Sequence, residues 1–135
     1  MPAIMADHDI EGHLQVLLRI LDSGDWRELW NEIAVSVESF ETLAMPYTAR
    51  DAELWQLCQD RQIVLITGNR NKAGPDSLEA TIQQQNTPHS IPVLTVAEPS
   101  RILANRDYAH RVAERLMEYL IDLDNLRGVG RLYLP

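Results

Sequence analysis

The chain has 135 residues, 45% of them hydrophobic and 24% charged, with 20 acids against 12 Lys and Arg for a formal charge of −8. That balance describes one globular domain, residues 1–135, and excludes a disordered chain. The acidic surplus excludes a protein that coats duplex nucleic acid with a basic face, but it leaves room for an acidic metal site acting on nucleic acid locally.

The first element is the apolar run Ile4-Met5-Ala6, which reads as a buried strand breaking into Asp7-His8-Asp9. Leu14, Val16, Leu17, Leu18, Ile20 and Leu21 then form the apolar stripe of a helix that Ser23-Gly24 ends. Trp26, Leu29, Trp30 and Ile33 recur at the spacing of a short second helix, and residues 34–37 read as a second strand. After the Met45-Pro46-Tyr47 loop, a third helix begins at Thr48 or Arg50 and runs to about Gln62. Cys58, the single cysteine, falls on its apolar stripe and reads as a small core hydrophobe.

Residues 63–67, Ile-Val-Leu-Ile-Thr, form an unbroken apolar run, the habit of a parallel strand covered on both faces. Residues 68–75 are loop, and Asp76-Ser77 opens a fourth helix. Residues 91–96 are a further strand with Pro92 tolerated at its start. A long amphipathic helix spans about 107–123, with Val112, Leu116, Tyr119, Leu120 and Leu123 inward, and residues 131–135 form a last edge strand. Strand–helix alternation from end to end predicts a three-layer αβα sandwich around a mostly parallel sheet. Right-handed crossovers then bring the segments 7–11, 67–71 and 95–100 together at one sheet edge.

That edge collects the candidate site residues. Asp7 and Asp9 follow the first strand, Thr67, Asn69 and Asn71 follow the third, and Asp51, Glu53, Asp76 and Glu79 lie at helix starts. Carboxylates gathered without matching cations repel one another, and a hard divalent cation such as Mg²⁺ or Mn²⁺ relieves that repulsion. Local readings compete with this one. Asp9 is well placed to cap the first helix, Asp51 suits a helix dipole, and the Asn pair suits a turn. His8 reads as an isolated turn residue and His13 as part of the helix. Trp26, Trp30 and Trp55 read as packing residues. The loop around Gly68 and Gly74 lacks the Gly-Lys-Ser/Thr of a phosphate-binding loop.

The order Met5-Ala6-Asp7, then the helix opening Asp51-Ala52-Glu53-Leu54, then Val64-Leu65-Ile66-Thr67-Gly68-Asn69 resembles the PIN-like nuclease superfamily, in its compact bacterial branch. The resemblance covers roughly residues 3–97. It implies a metal-dependent ribonuclease in which acids hold Mg²⁺ or Mn²⁺ and activate a water for attack on phosphorus. Carried over, Asp7 and Asp51 match the family's acids; with Asn69 and Asp76 they make up the expected catalytic set, and the same four with Asp9 the expected metal ligands. Asn69 stands where the family shows an acid, and Asp9, Asp76 and Glu79 are the candidates for the missing carboxylate. The implied partners are single-stranded RNA and an antitoxin-like protein or a second copy of the chain.

Two other readings stay open. One is a catalytically silent PIN-like domain working through protein contacts or dimerisation. The other is a flavodoxin-like or receiver-like module, against which stands the absence of Lys in Ala97-Glu98-Pro99 after the late strand. No signal-peptide pattern is visible, and no apolar run approaches the roughly 18–20 residues that span a bilayer. A soluble cytoplasmic protein, not associated with membranes, is expected.

Overall fold

The computed structural model describes residues 2–68 and 77–135. Its strands are β1 (Ala3–Ala6), β2 (Ser36–Glu38), β3 (Ile63–Thr67), β4 (Val93–Val96) and β5 (Arg131–Leu134). Its helices are α1 (Glu11–Leu21), α2 (Arg27–Ile33), α3 (Asp51–Arg61), α4 (Leu78–Gln85), α5 (Pro99–Ala104) and α6 (Arg106–Ile121). Among the described residues, the strands form one sheet in the order β2-β1-β3-β4-β5, and every pairing is parallel. The fold is therefore α/β with a wholly parallel sheet. The sequence led us to expect "mostly parallel", and even the edge strand β5 complies.

Alternation along each strand divides the core. Ile4, Val64, Ile66, Leu94 and Val96 point to one face, where they pack with Leu14, Leu17 and Leu21 of α1 and Val112, Leu116 and Leu120 of α6. Met5, Ile63, Leu65 and Val93 point to the other face, against Leu54, Trp55 and Cys58 of α3 and Leu78 and Ile82 of α4. Both faces being covered explains why β3 is buried at all five of its positions.

Local chemistry sets the element ends. Gln62 closes α3 in the left-handed region at φ 56°, giving a sharp reversal into β3. Ser77 caps α4 by accepting from the Ala80 N–H at 3.1 Å. Asn105 does the same for α6, accepting from the Tyr108 N–H, and separates it from α5. The sequence reading did not anticipate α5, a helix too short to show a period of its own. It also placed Tyr119 and Leu123 inward, whereas both are only half-buried; the fully covered positions are Tyr108, Ala109, Val112, Ala113, Leu116, Met117 and Leu120. Of the tryptophans, Trp55 is core, while Trp26 and Trp30 pack partly buried against the α1/α6 side. No helix among the described residues is long and apolar enough to cross a membrane.

Candidate functional site

In this strand order the chain leaves β1 for β2 on one side, then returns to place β3 on the other. The gap outside the carboxyl ends of β1 and β3 is thus the topological switch point, where open α/β sheets bind ligands. Asp7 stands there. Its N–H donates to Ile66 O at 2.8 Å, extending the β1–β3 ladder by one residue, and its side chain is almost wholly buried, at 5% residue exposure. Oδ1 accepts from the His8 N–H at 2.8 Å and pairs with His8 Nδ1 at 3.1 Å, while Oδ2 accepts from Thr67 Oγ1 at 3.1 Å. Asp7 also caps the 3-10 turn His8–Ile10 that leads into α1. The capping carboxylate is thus also the one buried at the switch point.

Asp9 lies in that turn. Burial, and then the neighbouring Asp7 charge, push its pKa above the usual carboxylate value, against a smaller opposing pull from His8. The two acids thus repel each other at the sheet edge, Asp7 buried and Asp9 exposed.

Gly68 shows that the three predicted segments meet. A Cβ built on it would stand 2.9 Å from Pro99 Cγ, 3.2 Å from Ile10 Cγ2 and 3.4 Å from Asp9 Oδ2. The loops after β1, β3 and β4 therefore close on one another, and only a residue without a side chain fits between them without a shift.

Asp51, at the first position of α3, uses Oδ2 to accept from the Leu78 N–H at 3.1 Å. It ties the start of α3 to the start of α4. Asn69 and Asp76, like Asn71, lie outside the described residues. Among the described residues no three His, Cys, Asp or Glu side chains form a group able to hold a metal ion. Of the acids expected to converge, the described ones supply a pair, Asp7 and Asp9.

A polar row, of which the sequence reading named Asp7, Thr67 and Glu79 but not Thr95 or Arg131, crosses the sheet on the α3/α4 side. Thr67 and Thr95 are register partners on β3 and β4, both fully buried. Thr95 Oγ1 accepts from Arg131 Nη1 at 2.7 Å, and Arg131 Nε lies 3.3 Å from Glu79 Oε2, with side-chain exposures of 8% and 25%. From Asp7 to Thr67, and from Thr95 through Arg131 to the partly exposed Glu79, polar side chains run along the carboxyl side of the sheet. The available signal was a Thr interrupting each apolar strand and an Arg at the start of the last one.

The second missed feature is aromatic. His8 sits edge-on to Phe40 and Tyr47, with centroids 6.1 and 6.0 Å away, and Phe40 and Tyr47 are 4.9 Å apart. Phe40 is the one phenylalanine of the chain, and its burial in a loop marks that loop as packed. By contrast, His13 is half-buried within α1, and its Nδ1 makes no hydrogen bond to the acids.

No family model, curated protein or solved structure matches this chain. The functional reading rests on the geometry above.

Proposed function

We propose that this chain is a PIN-like, divalent-cation-dependent phosphodiesterase acting on single-stranded RNA, with its cleft at the β1/β3 switch point. The observation that carries the reading is Asp7: a buried carboxylate at the end of a central parallel strand, held by Thr67 and His8, beside a second acid whose ionisation is resisted. A residue needed only as a cap would not require a buried hydroxyl from the next strand.

The donor set fits a hard cation. Asp7 and Asp9 offer only oxygen, and Mg²⁺ is commonly held by one or two carboxylates with water and substrate phosphate completing the shell. Asn69 and Asp76 are the proposed further ligands. When bound, Mg²⁺ or Mn²⁺ would lower the pKa of a water and draw charge from a phosphoryl oxygen. The chain's own part is to hold Asp7 in one rotamer, through Thr67 and His8, and to exclude water beneath it with the apolar ends of β1 and β3.

The strand order favours a second reading, since flavodoxin-like and receiver-like sheets use it too. A receiver offers an acceptor Asp at the end of a central strand and a Lys after a late one, whereas β3 here ends in Thr67-Gly68 and β4 is followed by Ala97-Glu98-Pro99. Those absences leave the phosphodiesterase reading ahead.

The test is Mn²⁺-dependent cleavage of single-stranded RNA by the full chain and by Asp7→Asn. Cleavage by the parent and its loss in the variant are expected. No cleavage across several RNAs, with no Mn²⁺ binding by calorimetry, overturns the reading in favour of a silent domain that acts through a protein partner.

A further inference from the structure

We propose that Tyr47 and His8 form a stacking subsite for one nucleobase next to the Asp7 carboxylate. The inference rests on the phosphodiesterase reading for the phosphate that Asp7 would face, and the ring geometry carries the rest.

Tyr47 is 58% exposed, whereas its neighbour Phe40 is 2% exposed. The two rings lie 4.9 Å apart at 32°, so Phe40 supports Tyr47 from beneath. The Glu11 carboxylate, and then that of Glu41, lie close enough to hold the Tyr47 pKa above its ordinary value. A large aromatic ring is thus held from behind by Phe40 while much of it stays in water. Exposed aromatics normally lose that rigidity, and a preorganised one binds without the usual ordering cost. His8 is the link to the acids: its ring is 6.0 Å from Tyr47, and its Nδ1 is 3.1 Å from Asp7 Oδ1.

The surrounding charge selects the ligand's chemistry. Glu11, Glu41, Asp7 and Asp9 all stand near these rings, so an anionic group is repelled, whereas a neutral planar ring is not. A nucleotide presents both parts, with its base going to the rings and its phosphate to the cation proposed at Asp7. Stacking on an aromatic face tolerates any base, which suits single-stranded nucleic acid without strict sequence preference.

The experiment measures binding rather than turnover. A fluorescein-labelled phosphorothioate oligouridylate, in Mn²⁺, is titrated with the full-length parent, Tyr47→Phe and Tyr47→Ala, using anisotropy as the readout. Tyr47→Phe should bind within about twofold of the parent, while Tyr47→Ala should weaken binding about tenfold. Abasic positions in the oligonucleotide should erase the difference between the parent and Tyr47→Ala. The DNA counterpart should lose the same factor as RNA, since the base face is what is read. Tyr47 is exposed, so the variants should fold, and circular dichroism checks this. Equal affinity of the parent and Tyr47→Ala overturns the subsite and leaves the rings to a protein partner; so does failure of the parent to bind. Tyr47-dependent binding without Asp7-dependent cleavage would instead overturn the phosphodiesterase and keep the base subsite.

Discussion

Thr67 Oγ1 donates to Asp7 Oδ2 at 3.1 Å, so the last residue of β3 holds the first residue beyond β1 across the switch point. Both groups are buried, which makes the bond costly to break. Replacing Thr67 by Val keeps the shape but removes the donor, leaving one carboxylate oxygen short of a partner. Thr67→Val should lose about 1–3 kcal/mol of stability, and Thr67→Ser, which keeps the hydroxyl, should lose less. Urea denaturation of the three proteins checks the order.

Asp9 makes a prediction about pH. Its folded pKa is raised above 3.8, so the folded state binds its proton more tightly than the unfolded chain. The resulting cost is absent below the unfolded pKa and grows as pH rises through the folded one. Asp9→Asn should therefore raise the melting temperature at neutral pH, with the gain fading in acid. Mn²⁺ should also raise the melting temperature of the parent, by neutralising the same repulsion, and should raise that of Asp9→Asn less. An unchanged melting temperature at neutral pH would count against the repulsion between Asp7 and Asp9.

How much of this was legible in the sequence follows from the range of each interaction. The run 63–67 announced β3 because four apolar residues in a row, closed by a Thr, have no exposed face to offer. The meeting of the Asp7, Gly68 and Pro99 loops followed from crossover handedness alone, and Gly68 records it in atoms. Thr95 and Arg131 were not legible, because 36 residues separate two groups whose bond depends on β4 and β5 being neighbours. Tyr47 looked like an ordinary loop residue for the same reason: its meaning comes from Phe40 and His8. Asp51 was read as a dipole residue or a ligand, and its bond to the start of α4 depends on how two helices pack.

Cys58 should be inert in the folded protein. Burial, with a smaller contribution from the Asp7 charge, pushes its thiol from 9.0 up to about 12, and its Sγ lies 3.6 Å from Met5 Sδ in the α3/α4 core. A disulfide reagent at pH 8 should react slowly with the native chain and promptly in guanidinium. The raised value also means that between about pH 9 and 12 the unfolded chain loses its thiol proton while the folded one keeps it. Stability should fall across that interval in the parent, and less steeply in Cys58→Ala once the loss common to both is subtracted.

Gly68 offers a steric test of loop convergence. A methyl group there must displace Pro99 Cγ at 2.9 Å and Ile10 Cγ2 at 3.2 Å. Gly68→Ala should destabilise the chain by about 1–3 kcal/mol, as overpacking does elsewhere. Because Asp9 Oδ2 is the third neighbour, the same variant should also weaken Mn²⁺ binding by calorimetry. Pro99→Ala removes the nearest obstacle, so adding it to Gly68→Ala should recover part of the stability, and the double-mutant cycle measures that coupling.

Asp51 separates a structural role from a catalytic one. Its Oδ2 accepts from the Leu78 N–H at 3.1 Å, so the oxygen, rather than the charge, is what joins α3 to α4. Asp51→Asn keeps an acceptor of the same shape and should cost little stability, whereas Asp51→Ala should cost about 1–2 kcal/mol, like the loss of a helix cap. If the carboxylate also belongs to the metal set, Asp51→Asn will weaken Mn²⁺ binding and cleavage while leaving the melting temperature near that of the parent. If it serves only to join the helices, Asp51→Asn will bind Mn²⁺ and cleave as the parent does, and Asp51→Ala will differ from the parent in stability alone. Calorimetric Mn²⁺ titration beside thermal denaturation of both variants distinguishes the two roles.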